Sequence, residues 1–61
     1  MIVFLFDYYF NPLTITTLTE LGNDVHIWFD SDYHLTVRNA KIYDVAASIN
    51  SAIEDFHKGK A

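Results

Sequence analysis

The sequence predicts an α+β domain: a four-stranded antiparallel meander followed by one C-terminal helix packed on one face of the sheet, in the order β-β-β-β-α. Three observations carry this. Apolar and polar residues alternate with period two over Asp24–Asp30 and Tyr33–Arg38, the mark of half-buried strands. Turn signals at Asn11-Pro12, Gly22-Asn23 and Asp30-Ser31-Asp32 separate the strand-like runs. From about Ala40 the spacing changes: Ile42, Val45, Ala46, Ile49, Ala52, Ile53 and Phe56 recur at steps of three and four, as on an amphipathic helix.

Ile2 to Tyr9 reads as the first strand. It is apolar on both parities, with Ile2, Phe4, Phe6 and Tyr8 on one side and Val3, Leu5 and Tyr9 on the other. Such a strand is expected to be central or covered on both faces. Its apolar run stops at Asp7 and has no basic residue before it. It is too short for a leader and for a membrane span, so a cytoplasmic setting and no membrane are expected. Leu13 to Leu21 is rich in Thr and β-branched residues and suits a second strand. Gly22-Asn23 signals a two-residue hairpin of the type II′ kind. That turn pairs Glu20 with Val25 and Leu18 with Ile27. It places Leu18 and Thr16 inward and leaves Ile15 and Leu21 outward, whereas a wider loop reverses the assignment.

The last hairpin is better determined. If Val25, Ile27, Phe29, Tyr33, Leu35 and Val37 all face the helix, residues of equal parity must pair. A three-residue loop at Asp30–Asp32 does this. It sets Phe29 opposite Tyr33, Trp28 opposite His34, His26 opposite Thr36 and Asp24 opposite Arg38. His26 and His34 then become diagonal neighbours beside Trp28. In the helix, Asn39 is the expected N-cap, Asp44 favours the first turn, and Gly59 signals the stop. The domain is expected over residues 1–57, with 58–61 as a short basic tail.

The composition narrows the function classes. There is no cysteine, which removes disulfide scaffolds and Cys-based zinc fingers. The chain is 51% apolar, too much for a disordered segment. Eight Asp and Glu face four Lys and Arg, a net charge of -4, the wrong sign for direct nucleic-acid binding. Residues 1–57 carry eight negative and two positive charges, a net of -6. Ten of the 61 residues are aromatic. At about 60 residues a chain buries only roughly 60% of its unfolded surface, and small chains commonly add an oligomer or a partner.

One helix covers one face of the meander, so the opposite face is the candidate site. A partner-binding surface is expected at Glu20, Asp24, His26, Trp28, Asp30, Asp32, Tyr33 and His34. The aromatics would supply contact energy and the acids would steer a basic partner. Two imidazoles and a carboxylate can bind zinc, but cross-strand aromatic pairing accounts for the same residues, so neither metal nor cofactor is assigned. No G-x-S-x-G context or Gly-rich phosphate loop is present, and a unit this small hardly encloses a catalytic cleft. A non-enzymatic, homodimeric interaction module is expected. Its narrower form is an inhibitor of the phage or prophage kind that occupies a basic surface of a nucleic-acid-acting host protein. The alternative is a structural or assembly subunit whose sheet face is permanently buried.

Val25-His26-Ile27-Trp28-Phe29, then His34-Leu35-Thr36-Val37-Arg38 and a helix, resemble in order the small flagellar-operon proteins of the FlbD type. The shared feature is alternation followed by a helix, and no residue role carries over. In size and charge the chain is also similar to small acidic phage inhibitors, including anti-CRISPR and anti-restriction proteins.

Overall fold

The computed structural model describes residues 1–59; of the expected tail, only Lys58 and Gly59 fall within them. The fold is α+β with antiparallel sheets and one C-terminal helix. The elements are β1 (Val3–Leu5), β2 (Tyr8–Phe10), a 3-10 turn (Pro12–Thr14), β3 (Ile15–Leu21), β4 (Asp24–Phe29), β5 (His34–Val37) and α1 (Ile42–Lys58). The strands form a two-stranded sheet, β1-β2, and a three-stranded sheet, β3-β4-β5. The expected single four-stranded meander is therefore corrected to five strands in two sheets.

The difference begins at Phe6-Asp7. Instead of one strand over Ile2–Tyr9, the chain reverses, pairing Leu5 with Tyr8 and Val3 with Phe10. Phe6 and Asp7 both have positive φ, 54° and 68°, as a type I′ turn demands. Neither residue is Gly or Asn, and Asp7 alone between aromatic residues is a weak turn signal. Left-handed backbone costs an L-residue roughly 1–2 kcal/mol. Phe6 packs against the core, and that burial offsets the cost. Folding back also re-sorts the aromatics. Phe4 and Tyr9 become cross-strand partners with ring centroids 4.6 Å apart, and both are exposed.

After the hairpin, the Asn11 side chain accepts a hydrogen bond from the Leu13 N–H at 2.9 Å and buried Pro12 starts the 3-10 turn. This takes Leu13 and Thr14 from the expected second strand. The Gly22-Asn23 turn is as expected: Leu21 pairs with Asp24, and Gly22 supplies the positive φ at 61°. Glu20 pairs with Val25 and Leu18 with Ile27, the register of the two-residue turn. A bulge between Ile15 and Thr17 then alters the parity. Thr16 is the extra residue and is exposed, while Ile15 packs against the core. Both reverse their expected directions.

The β4–β5 ladder pairs Trp28 with His34, Ile27 with Leu35, His26 with Thr36 and Val25 with Val37. Asp32 takes a positive φ of 61° in the three-residue loop, and the Phe29 N–H donates to the Tyr33 carbonyl at 2.9 Å. The ladder ends before the expected Asp24–Arg38 pair. Burial alternates along β4, with Val25, Ile27 and Phe29 buried and Asp24, His26 and Trp28 half-buried. The core joins these three to Phe10, Leu35, Val37, Val45 and Ile49. Burying an aliphatic side chain contributes about 1.5–3 kcal/mol, and Val25, Ile27 and Val45 are fully buried.

Asp7 gives a direct check on the first hairpin. Asp7→Gly removes a side chain from a left-handed position, so stability should rise by about 0.5–1 kcal/mol in chemical denaturation. A glycine inside a continuous strand would lower it instead.

Candidate functional site

The candidate site is the face of the three-stranded sheet that α1 does not cover. Alternation assigns its members: Thr17, Thr19 and Leu21 on β3; Asp24, His26 and Trp28 on β4; His34 and Thr36 on β5. At its centre three rings meet. The Trp28 and His34 centroids lie 4.4 Å apart with a 35° tilt. His26 and His34 lie 4.9 Å apart, and His26 meets Trp28 nearly edge-on at 6.3 Å. These are the contacts expected from the register, including the diagonal His pair.

The indole is held in place from the neighbouring strand. Trp28 Nε1–H donates to Thr19 Oγ1 at 3.0 Å, which orients the ring across the sheet. Beside it lies a shallow depression of about 370 Å³ lined by Thr16, Thr17, Thr19, Trp28, Phe29 and Asp32. Threonine suits the position: its β-branch favours a strand, and its hydroxyl supplies the acceptor that the indole N–H needs.

The acids do not form one cluster. Asp24 stands at the start of β4, next to the Gly22-Asn23 turn, and Asp30 and Asp32 stand in the loop beyond its end. Six strand residues span about 20 Å, so the carboxylates bracket the aromatic rings from two sides. The Asp30 N–H donates to the Thr14 carbonyl at 3.0 Å, and the Asp32 N–H to the Phe29 carbonyl at 3.2 Å. These bonds fix the loop backbone and leave both carboxylates exposed.

Two residues assigned to this surface sit elsewhere. Tyr33 is 59% exposed, not turned into the core, and its ring stacks against Phe29 at 6.1 Å instead of Trp28. Glu20 pairs with Val25, and therefore lies on the helix side of the sheet. Its Oε2 accepts the Ile42 N–H at 3.0 Å. The helix N-cap is Lys41, which makes no side-chain cap bond. Asn39, the expected cap, has a positive φ of 53° in the turn before it. Glu20 thus does the capping across 22 residues of sequence, and its charge suits the positive end of the helix. No local sequence signal announces a cap delivered from another strand.

No family model, curated protein or solved structure matches this chain. The site therefore rests on its own geometry. Among the described residues, no group of three or more His, Cys, Asp or Glu side chains is placed to hold a metal ion, and no helix is long and apolar enough to cross a membrane.

Glu20 separates a folding role from a binding role. Glu20→Ala should cost about 1 kcal/mol of stability, the usual scale of a lost cap. Glu20→Gln should cost less, because an acceptor oxygen remains. Denaturant titration of the two variants checks the order; equal stability of all three proteins would remove the cap.

Proposed function

We propose that the chain is a non-catalytic, homodimeric protein-interaction module whose outer sheet face docks on a basic surface of a protein partner. The carrying observation is the set of rings on a face without helix cover, Trp28 with His26 and His34, bracketed by exposed Asp30 and Asp32 and half-buried Asp24. An oriented indole at the centre of a patch is the kind of side chain that dominates interface energy. Carboxylates around it raise the association rate with a basic surface and set its orientation.

Proteins that act on nucleic acids carry such basic surfaces. In its narrower form the reading is an inhibitor of the phage or prophage kind, which covers that surface on a host protein. Trp28 supplies the buried contact, the two histidines extend it, and Asp24, Asp30 and Asp32 steer. Tyr33 reaches a partner only from the rim, and Glu20 serves the fold first.

A second reading, a structural or assembly subunit, is favoured by a separate observation. Ile2, Phe4 and Tyr9 are 66%, 55% and 77% exposed on the N-terminal hairpin. Apolar surface on two sides of a small domain suits permanent burial in an assembly. Only the first reading makes the acids around Trp28 matter to association.

The test is a titration of each variant against a protein that co-purifies with the chain. Trp28→Ala should weaken binding by about 2 kcal/mol or more, roughly thirtyfold. Asp30→Lys should slow association and flatten its salt dependence. Affinity unchanged in a variant carrying both Trp28→Ala and Asp30→Lys would exclude this face.

A further inference from the structure

We infer that two copies of this chain pair through the free edges of β3, antiparallel and centred on Leu18, to make one continuous six-stranded sheet. The inference rests on the homodimeric part of the reading above and assigns the dimer contact to the edge, leaving the Trp28 face for the partner.

In β3-β4-β5 both β3 and β5 are edges. The β5 edge has a neighbour, because the N-terminal hairpin comes alongside it. Tyr8 Oη–H donates to the Thr36 carbonyl at 3.5 Å, and Phe6, Asp7 and Tyr8 line a depression with Thr36, Val37 and Arg38. At seven residues, β3 is the longest strand, and it lies at the far side of the sheet. The two-residue turn makes Leu21–Asp24 a hydrogen-bonded pair. Alternation then turns the N–H and C=O of Leu18 and Glu20 away from β4.

Such an edge is a template for another strand, and proteins that stay monomeric guard it with lysine, proline, inward charge or a bulge. Ile15–Leu21 contains no lysine and no proline. Its one charge, Glu20, is engaged by the Ile42 N–H. The bulge lies at the N-terminal end, at Thr16; about a two-fold at Leu18 it confines regular pairing to Thr17–Thr19 of each copy.

The edge is also complementary to itself. With Leu18 opposite its own copy, Thr17 faces Thr19 twice on the outer face, and Glu20 faces Thr16, so the two carboxylates stay apart. On the helix side, Leu18 lies in a mainly apolar groove of about 230 Å³ with Pro12, Ile15, Ala46, Ile49, Ile53 and one polar residue, Asn50. This groove runs between β3 and α1, so pairing would bring the two copies' grooves together around the Leu18 pair. A two-fold axis through Leu18 makes the contact isologous and closed, so the assembly stops at two.

Charge exchange at the Thr17–Thr19 pairs tests the register. Both positions are exposed. The T17K/T19K variant sets Lys against Lys twice, and T17E/T19E sets Glu against Glu twice. Each should raise the dimer dissociation constant at least about tenfold in sedimentation. An equimolar mixture should restore the dimer as a mixed pair. Should either variant lose its helical circular dichroism, a synthetic chain N-methylated at Leu18 blocks the outward donor without changing a side chain, and it should be monomeric. A wild-type chain that stays monomeric at high micromolar concentration overturns both the edge contact and the homodimer. Homodimers that persist in both charge variants, or in the N-methylated chain, overturn the edge contact alone.

Discussion

The alternation of β4 divides this molecule in two, and the rest of the structure depends on it. Val25, Ile27 and Phe29 go under the helix while Asp24, His26 and Trp28 go out. A slip of one residue would exchange the two sets, burying an aspartate and exposing the core. Two turns prevent the slip. Gly22 holds the two-residue turn to β3, and Asp32 the three-residue loop to β5, each with positive φ. With both neighbours fixed, the buried residues of β4 and β5 meet Val45 and Ile49 of α1, and one helix completes one side.

That division was legible in the sequence because its signals are local and periodic. Period-two alternation, a Gly-Asn turn and a three-to-four apolar spacing each act over a few residues. They were enough to place Trp28 against His34 and His26 against Thr36. What was not legible has non-local causes. The Phe6-Asp7 turn has one turn-prone residue, Asp7, with an aromatic where Asn or Gly is usual, and it is held by packing of Phe6 on a core assembled from distant elements. The bulge at Thr16 adds one residue among similar threonines, so composition cannot show it. The helix cap comes from Glu20 on β3, where local reasoning points to Asn39. Tyr33 has the parity of a core residue, yet it stays exposed beside Phe29 at the end of the sheet.

The consequence for function is a separation of surfaces. The helix side of the sheet is the core. The outer side presents oriented rings between carboxylates. The β3 edge presents backbone groups that a second copy can satisfy. A chain of 61 residues has little interior to offer, and its ten aromatics show where it is spent: among these aromatics only Phe10 and Phe29 count as buried. In the proposed reading that surplus is completed from outside, by strand pairing at the edge and by ring contacts on the face.

In the proposed dimer the outer face stays open, ready for a partner. Trp28 is the only tryptophan, so its fluorescence reports that face alone. The decisive measurement is quenching by neutral acrylamide across the concentration range of dimerisation. The quenching constant should not change as the dimer forms. A marked fall in quenching on dimerisation would place Trp28 in the dimer contact and contradict it.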